Sequence, residues 1–252
     1  MKTLKKMVLL PLCLLSFLGK AQNKALFEQG KEQYKAESYQ EAINSWSKIL
    51  QGGEHSAALY FNMGNAYYKL NQVGPSIYYY EKALQMAPHN SDIQHNLAFA
   101  QNATVDAIEP LPKTFFAKWN EKISGLMGYD GWAWFSVGAV FLFAFCFLNY
   151  YFGVQSQRKR LFFAGSLVSF LVLMGAFFMA FRTFHSFQNN REGIVFATVC
   201  EVKSGPRMKE TTTFKLHEGT KVTILAEEDN WYRISLADGK DGWLPEGDLK
   251  EL

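Results

Sequence analysis

The chain has 252 residues, 48% of them hydrophobic and 16% aromatic, with a formal net charge of +3. So small a positive excess is no electrostatic footprint of a nucleic-acid-binding protein. The length has room for two small domains beside the membrane segments described below.

Residues 1–21, MKTLKKMVLLPLCLLSFLGKA, predict a signal peptide. Lys2, Lys5 and Lys6 form a basic start, and Met7 to Leu18 an apolar stretch of about 12 residues, short for a span. Gly19 and Ala21 are the small residues that precede a cut, placed after Ala21; an uncleaved anchor is the alternative reading. Cys13 follows Leu12 in mid-stretch rather than a small residue, which argues against lipidation.

Two segments then align without a gap at a period of 34 residues. Gly30 pairs with Gly64, Tyr34 with Tyr68, Trp46 with Tyr80 and Leu50 with Leu84. A truncated third copy begins at Ser91, where Ser91 and Gln94 have the spacing of a capping box. This period, with Gly64-Asn65-Ala66-Tyr67, Glu81-Lys82-Ala83-Leu84 and Pro88, resembles the tetratricopeptide repeat, a stacking helix–turn–helix unit. Gln33 and the segment Gly74-Pro75-Ser76 depart from its pattern. Residues 23–102 are thus expected to form two repeats and a capping helix, an all-α superhelix.

The resemblance implies a peptide-binding groove lined by the first helix of each repeat. Lys24, Phe27, Lys31, Tyr34 and Lys35 would come from the first repeat, Phe61, Asn65, Tyr68 and Lys69 from the second, and His95 and Phe99 from the cap. Such a basic, aromatic-walled groove suits an acidic segment or a C-terminal carboxylate. The same residues also fit a merely solvated repeat face.

Residues 103–131 read as a linker. Pro110 and Pro112 make its first part a stiff spacer. In its second part Phe115, Phe116, Trp119, Ile123, Leu126 and Met127 recur at helical spacing. Two readings fit, a helix on the membrane surface or one packed back on the repeats.

No charged side chain lies between Asp130 and Arg158, nor between Arg160 and Arg182. Each gap exceeds the roughly 20 apolar residues that cross a bilayer core. Transmembrane helices are expected at 132–151 and 161–181, the first edged by Trp132, Trp134, Tyr150 and Tyr151. Gly165, Ser166, Ser169 and Gly175 would let the two backbones approach. The loop 152–160 carries Arg158, Lys159 and Arg160 without an acid and is expected in the cytoplasm, although Lys113, Lys118, Lys122, Arg182 and Arg191 weigh on the other side. That orientation puts the repeats and the C-terminal domain in the periplasm, on a protein of the inner membrane.

Residues 192–252 change period to short alternating runs parted by turn signals such as Glu218-Gly219, Asp229-Asn230 and Asp238-Gly239. Val202-Lys203-Ser204-Gly205-Pro206, Leu216-His217-Glu218-Gly219, Trp231 and Gly242-Trp243-Leu244 resemble the bacterial SH3 domain, a small all-β barrel. Trp231 and Trp243 are either a ligand platform, with peptidoglycan a candidate, or framework residues of the barrel. Cys200 reads as a small apolar core residue without a disulfide partner.

The five histidines form no zinc or nucleophile motif, and Asp92 with His95 makes too few ligands for a metal. No cofactor and no catalytic role are expected. The order of these modules, with Asp130-Gly131-Trp132-Ala133-Trp134 leading into the first span, resembles the BatE-type aerotolerance proteins of Bacteroidetes. That resemblance implies a multidomain membrane scaffold in an envelope complex, with partners bearing von Willebrand A-type domains.

Overall fold

A computed structural model describes residues 22–252; the signal-peptide reading and Cys13 lie outside them. The described residues fall into two compact units. One joins the chain up to Pro110 with Arg191–Leu252, and the other is Leu111–Asn190.

The first unit begins with five helices: α1 (22–35), α2 (Tyr39–Gln51), α3 (Ala57–Lys69), α4 (Val73–Met86) and α5 (Ser91–Asn102). The 34-residue period is visible in the backbone. Glu37 and Asn71, one period apart, both take left-handed φ values of 59° and 57°. Each ends a first helix in the same way: Ser38 N–H reaches Gln33 O, and Gln72 N–H reaches Tyr67 O. Gly30 and Gly64 are glycines because their helices touch an aromatic ring. A Cβ on Gly64 would lie 2.6 Å from the Tyr80 ring, and one on Gly30 would overlap Trp46. Ser76, where the repeat pattern has Ala, is fully buried and donates to Gly64 O at 2.9 Å. The start of α5 differs from the expected capping box: Asn90, not Ser91, is the cap, its Oδ1 accepting from Asp92 N and Ile93 N. The Asn side-chain oxygen can accept from the amides two and three residues on, which the start of the helix leaves without intrahelical partners.

The sheet of this unit has seven strands: β1 (Arg191–Val195), β2 (Val199–Lys203), β3 (Thr212–His217), β4 (Lys221–Glu228), β5 (Trp231–Ser235), β6 (Asp241–Pro245) and β7 (Leu249–Glu251). Their order is β3-β2-β6-β5-β4-β1-β7, with antiparallel pairing throughout. Alternation sends Val202, Leu216, Val222, Ile224, Tyr232, Ile234, Leu244 and Leu249 into one core. Cys200 sits there too, 3% exposed, as its sequence context suggested.

The sheet is docked on the repeats. Ile194, Phe196 and Leu252 pack with Ile77, Tyr78, Tyr80, Leu97 and Ala100 in one apolar cluster. The backbones come close because both sides have a glycine. A Cβ on Gly74 would stand 3.0 Å from the Val195 carbonyl oxygen, and one on Gly219 3.0 Å from Ile77. Gly219 also has φ +87°, which side chains disfavour. The departure at Gly74 is therefore the footprint of this contact, while Ser76 serves the bond to Gly64 within the repeats.

Polar groups fix the register. The Asp106 carboxylate accepts from His217 N at 2.7 Å and Thr220 Oγ1 at 2.6 Å, and bonds His217 Nδ1 at 2.7 Å. Lys221 bridges Glu81 of α4, at 3.2 Å, and Glu192 of β1, at 2.8 Å. Lys250 lies 4.6 Å from the Tyr78 ring centre, and Tyr78 meets Phe196 edge to face at 5.6 Å. Buried apolar side chains such as Ile77 and Ile194 each contribute roughly 1.5–3 kcal/mol. A buried ion pair nets far less, because desolvation offsets its attraction. The cluster thus supplies the driving force, and the charged contacts select one arrangement. The stretch expected to be a stiff spacer is also tied down, since Asp106 is bonded to the sheet and Ile108 packs against its core.

The second unit holds α6 (Phe115–Ser124), α7 (Tyr129–Phe152) and α8 (Ser156–Asn189). Two of its segments, Tyr129–Phe152 and Ser156–Ser186, are long and apolar enough to cross a membrane. Only 17% of the most apolar stretch of each is buried, unlike the core helix of a soluble protein. Helix α7 starts two residues before its charge-free run and ends within it, whereas α8 exceeds its run at both ends. At 1.5 Å per residue α8 is about 51 Å long, against a hydrocarbon core of about 30 Å. Small residues form the α7–α8 seam: Ser136, Ala139, Ser166, Ser169 and Ala176 are buried, and Gly165 faces Cys146. Gly175 is not in it; a Cβ there would meet nothing within 4 Å.

Asp106→Ala is expected to destabilise the purified full-length protein by about 1–3 kcal/mol at pH 7, because Thr220 and the His217 amide lose their acceptor. Burial pushes the Asp106 carboxyl up, but the bonds from Thr220 and His217 outweigh it and hold it below its ordinary 3.8. Its contribution is thus present above pH 3.8 and fades as pH falls through the lowered value. Thermal melts of wild type and variant should converge in that acid range.

Candidate functional site

The repeats hold an open pocket of about 290 Å³. Tyr34 of α1 and Asn65, Tyr68 and Lys69 of α3 line it. Tyr80 of α4 and Asn96 and Phe99 of α5 complete the lining. Asn65 is held in one orientation. Its Oδ1 accepts from Tyr80 Oη at 2.6 Å and from Asn96 Nδ2 at 2.7 Å. That leaves the Asn65 amino group as donor and the Asn96 oxygen as acceptor, neither bonded among the described residues. Burial pushes the Tyr80 hydroxyl up to about 12 and raises that of Tyr34, so both stay protonated donors at neutral pH. Lys69 has no ion pair or hydrogen bond among the described residues, and Phe99 is 65% exposed. The pocket can therefore offer one positive charge, a donor–acceptor amide pair and aromatic surface to an extended chain.

Of the residues expected to line the groove, Tyr34, Asn65, Tyr68, Lys69 and Phe99 come together in this pocket. The others stand apart from it. Lys31 pairs with Glu28 at 2.9 Å and Lys35 with Glu32 at 2.8 Å, so two of the expected cations are spent along their own helix. Phe27 lines a separate hollow with Ile49 and Leu59, Phe61 is half-buried against Tyr80, and Lys24 and His95 are exposed outside the pocket. Tyr80 and Asn96 also line the pocket but are not among the residues expected for the groove. For Asn96 a cue existed, since it stands three residues before Phe99 and so shares its helical face.

The sheet carries a second exposed surface. Alternation in β5 and β6 turns Trp231 and Trp243 to the face opposite Ile234 and Leu244. Trp231 stands across from Pro245, and Trp243 across from Arg233 and Lys203. The indoles are half-buried and lie outside the sheet's apolar core. The neighbouring charges are satisfied, Arg233 by Asp241 at 2.6 Å and Lys203 by Glu201 at 2.7 Å. Among the described residues no group of three or more His, Cys, Asp or Glu could hold a metal ion.

Comparison with known families assigns both parts of this unit. Residues 57–90 match the tetratricopeptide repeat, and residues 198–250 match the bacterial SH3 domain. The chain therefore contains a repeat of the kind that takes protein partners and a domain of the kind associated with cell-wall binding. No curated protein matches the chain.

Cys200 is the remaining reactive group to place outside the spans. Burial, with the nearby Asp248 carboxylate, pushes its thiol up to about 11. In the folded protein at pH 7.5 it should resist iodoacetamide for hours and react within minutes once unfolded in guanidinium, as read by mass spectrometry of the tryptic peptide.

Proposed function

We propose that this protein is a non-catalytic, membrane-anchored scaffold of the cell envelope that holds a protein segment in the pocket of its repeats. The observation that carries this is the convergence of Tyr34, Asn65, Tyr68, Phe99 and an unpaired Lys69 around a fixed asparagine pair. The ligand of matching chemistry is an extended segment with an acidic residue or a C-terminal carboxylate. Lys69 would meet the charge, and Asn65 with Asn96 a backbone amide. The two apolar helices support membrane anchoring. Placement at an inner membrane with both outer domains periplasmic follows from the signal peptide and from the basic loop Arg158-Lys159-Arg160. Membership of a BatE-type complex, with von Willebrand A-type partners and a part in aerotolerance, extends the resemblance in module order.

A second reading has its own observation. Trp231 and Trp243, turned away from the core, suit a flat ligand such as a muropeptide. It predicts that the full-length protein is retained on purified peptidoglycan and that Trp231→Ala weakens retention.

For the first reading the test is photo-crosslinking in cells from position 68 of the intact protein, with and without Lys69→Glu. One defined envelope protein should be captured, and charge reversal should cut its yield about ten-fold or more while the melting temperature stays within a few degrees. Equal capture by the charge-reversed protein removes the pocket from the account.

A further inference from the structure

We infer that the sheet domain is the terminal cap of the repeat array, so that the pocket is assembled only while sheet and repeats are docked. The inference deepens the reading of the pocket as a binding site and assigns its regulation.

A repeat cannot bury its apolar face alone, and an array needs a neighbour or a cap at each end. Here α5 is a lone helix without a second helix to complete its repeat. Its buried residues Leu97 and Ala100 belong to the cluster that Ile194 of β1 completes, with Phe196 and Leu252 packed against it. A polar capping helix would leave such a surface wet; the sheet covers it instead. Asp106, four residues beyond α5, fastens the end of that helix to His217 and Thr220.

Helix α4 belongs to both structures. The Tyr80 hydroxyl holds Asn65 in the pocket, while its ring lies in the cluster with Ile194. The next residue, Glu81, is 8% exposed and bonded to Lys221 of the sheet. Tyr78, two residues earlier, carries Phe196 and Lys250. Anything that fixes α4 against the sheet also fixes Tyr80 and, through its bond, the Asn65–Asn96 pair of the pocket. By linkage, a ligand that orders the pocket strengthens docking, and loosening the dock weakens the ligand by the same factor.

The test is native-state hydrogen exchange on the full-length protein in lipid nanodiscs. Wild type is compared with Asp106→Ala, which loosens the dock, and Asn65→Ala, which lies in the pocket and reaches the dock only through Tyr80. Protection should fall about ten-fold or more in α4 and α5 as well as in β1 for Asp106→Ala, and β1 should lose protection in Asn65→Ala without being touched. Wild-type protection of α4 and α5 in Asp106→Ala, with loss confined to the sheet, overturns the inference. Should Asp106→Ala fail to fold, the denaturant dependence of wild-type exchange decides. One shared opening for α4, α5 and β1 supports the cap, and a separate, cheaper opening of the helices contradicts it. Failure of capture at the pocket with a shared opening would remove the ligand reading and leave the cap. Separate openings with capture intact would remove the cap alone.

Discussion

Helix α4 buries one side against α3 and another against the sheet, and the rest of the first unit depends on that double contact. Its first turn can lie on the sheet backbone only because Gly74 and Gly219 leave room for each other's chain. Once they meet, Ile77, Tyr78 and Tyr80 fall into register with Ile194 and Phe196. Asp106 and Lys221 then find their partners at the rim. Apolar burial dominates the energy, and the ionic contacts, which roughly break even, choose among arrangements.

The contact also constrains the membrane segments. Glu81 and Lys221 touch although α7 and α8 lie between them in sequence. Both must therefore lie on one side of any membrane the chain crosses, and the number of crossings between them must be even. Two suitable helices meet that condition. Docking leaves open the pocket around Asn65 on the repeats and the face of Trp231 and Trp243 on the sheet. Both surfaces belong to the one docked unit.

Local features were readable in the residues because local physics decides them. The 34-residue period fixes Gly30 beneath Trp46 and Gly64 beneath Tyr80, and the period-two runs fix which side of each strand is buried. Charge-free runs of more than 20 residues leave little choice but a span. The dock was not readable, since its halves stand more than a hundred residues apart and its marks resemble faults. Gly74 looked like a lapse in a repeat, Asp106 like part of a spacer, and Gly219 like a turn residue. The pocket was half readable. Positional equivalence between repeats found Tyr34, Tyr68, Asn65 and Lys69, but it could not reveal that Lys31 and Lys35 are neutralised one turn back by Glu28 and Glu32.

The most direct measurement is zero-length carbodiimide cross-linking of the protein in native membranes, with linked peptides identified by mass spectrometry. Lys221 has two carboxylate neighbours, Glu192 within the sheet at 2.8 Å and Glu81 of the repeats at 3.2 Å. The first serves as internal control for the nucleophilicity of the amine, and coupling of added glycine amide to Glu81, 8% exposed, as control for reagent access to its carboxylate. Repeats and sheet docked as one body predict both the Lys221–Glu192 and the Lys221–Glu81 links. A Lys221–Glu192 link without its Glu81 counterpart would contradict the docked unit and, with it, the shared role of α4.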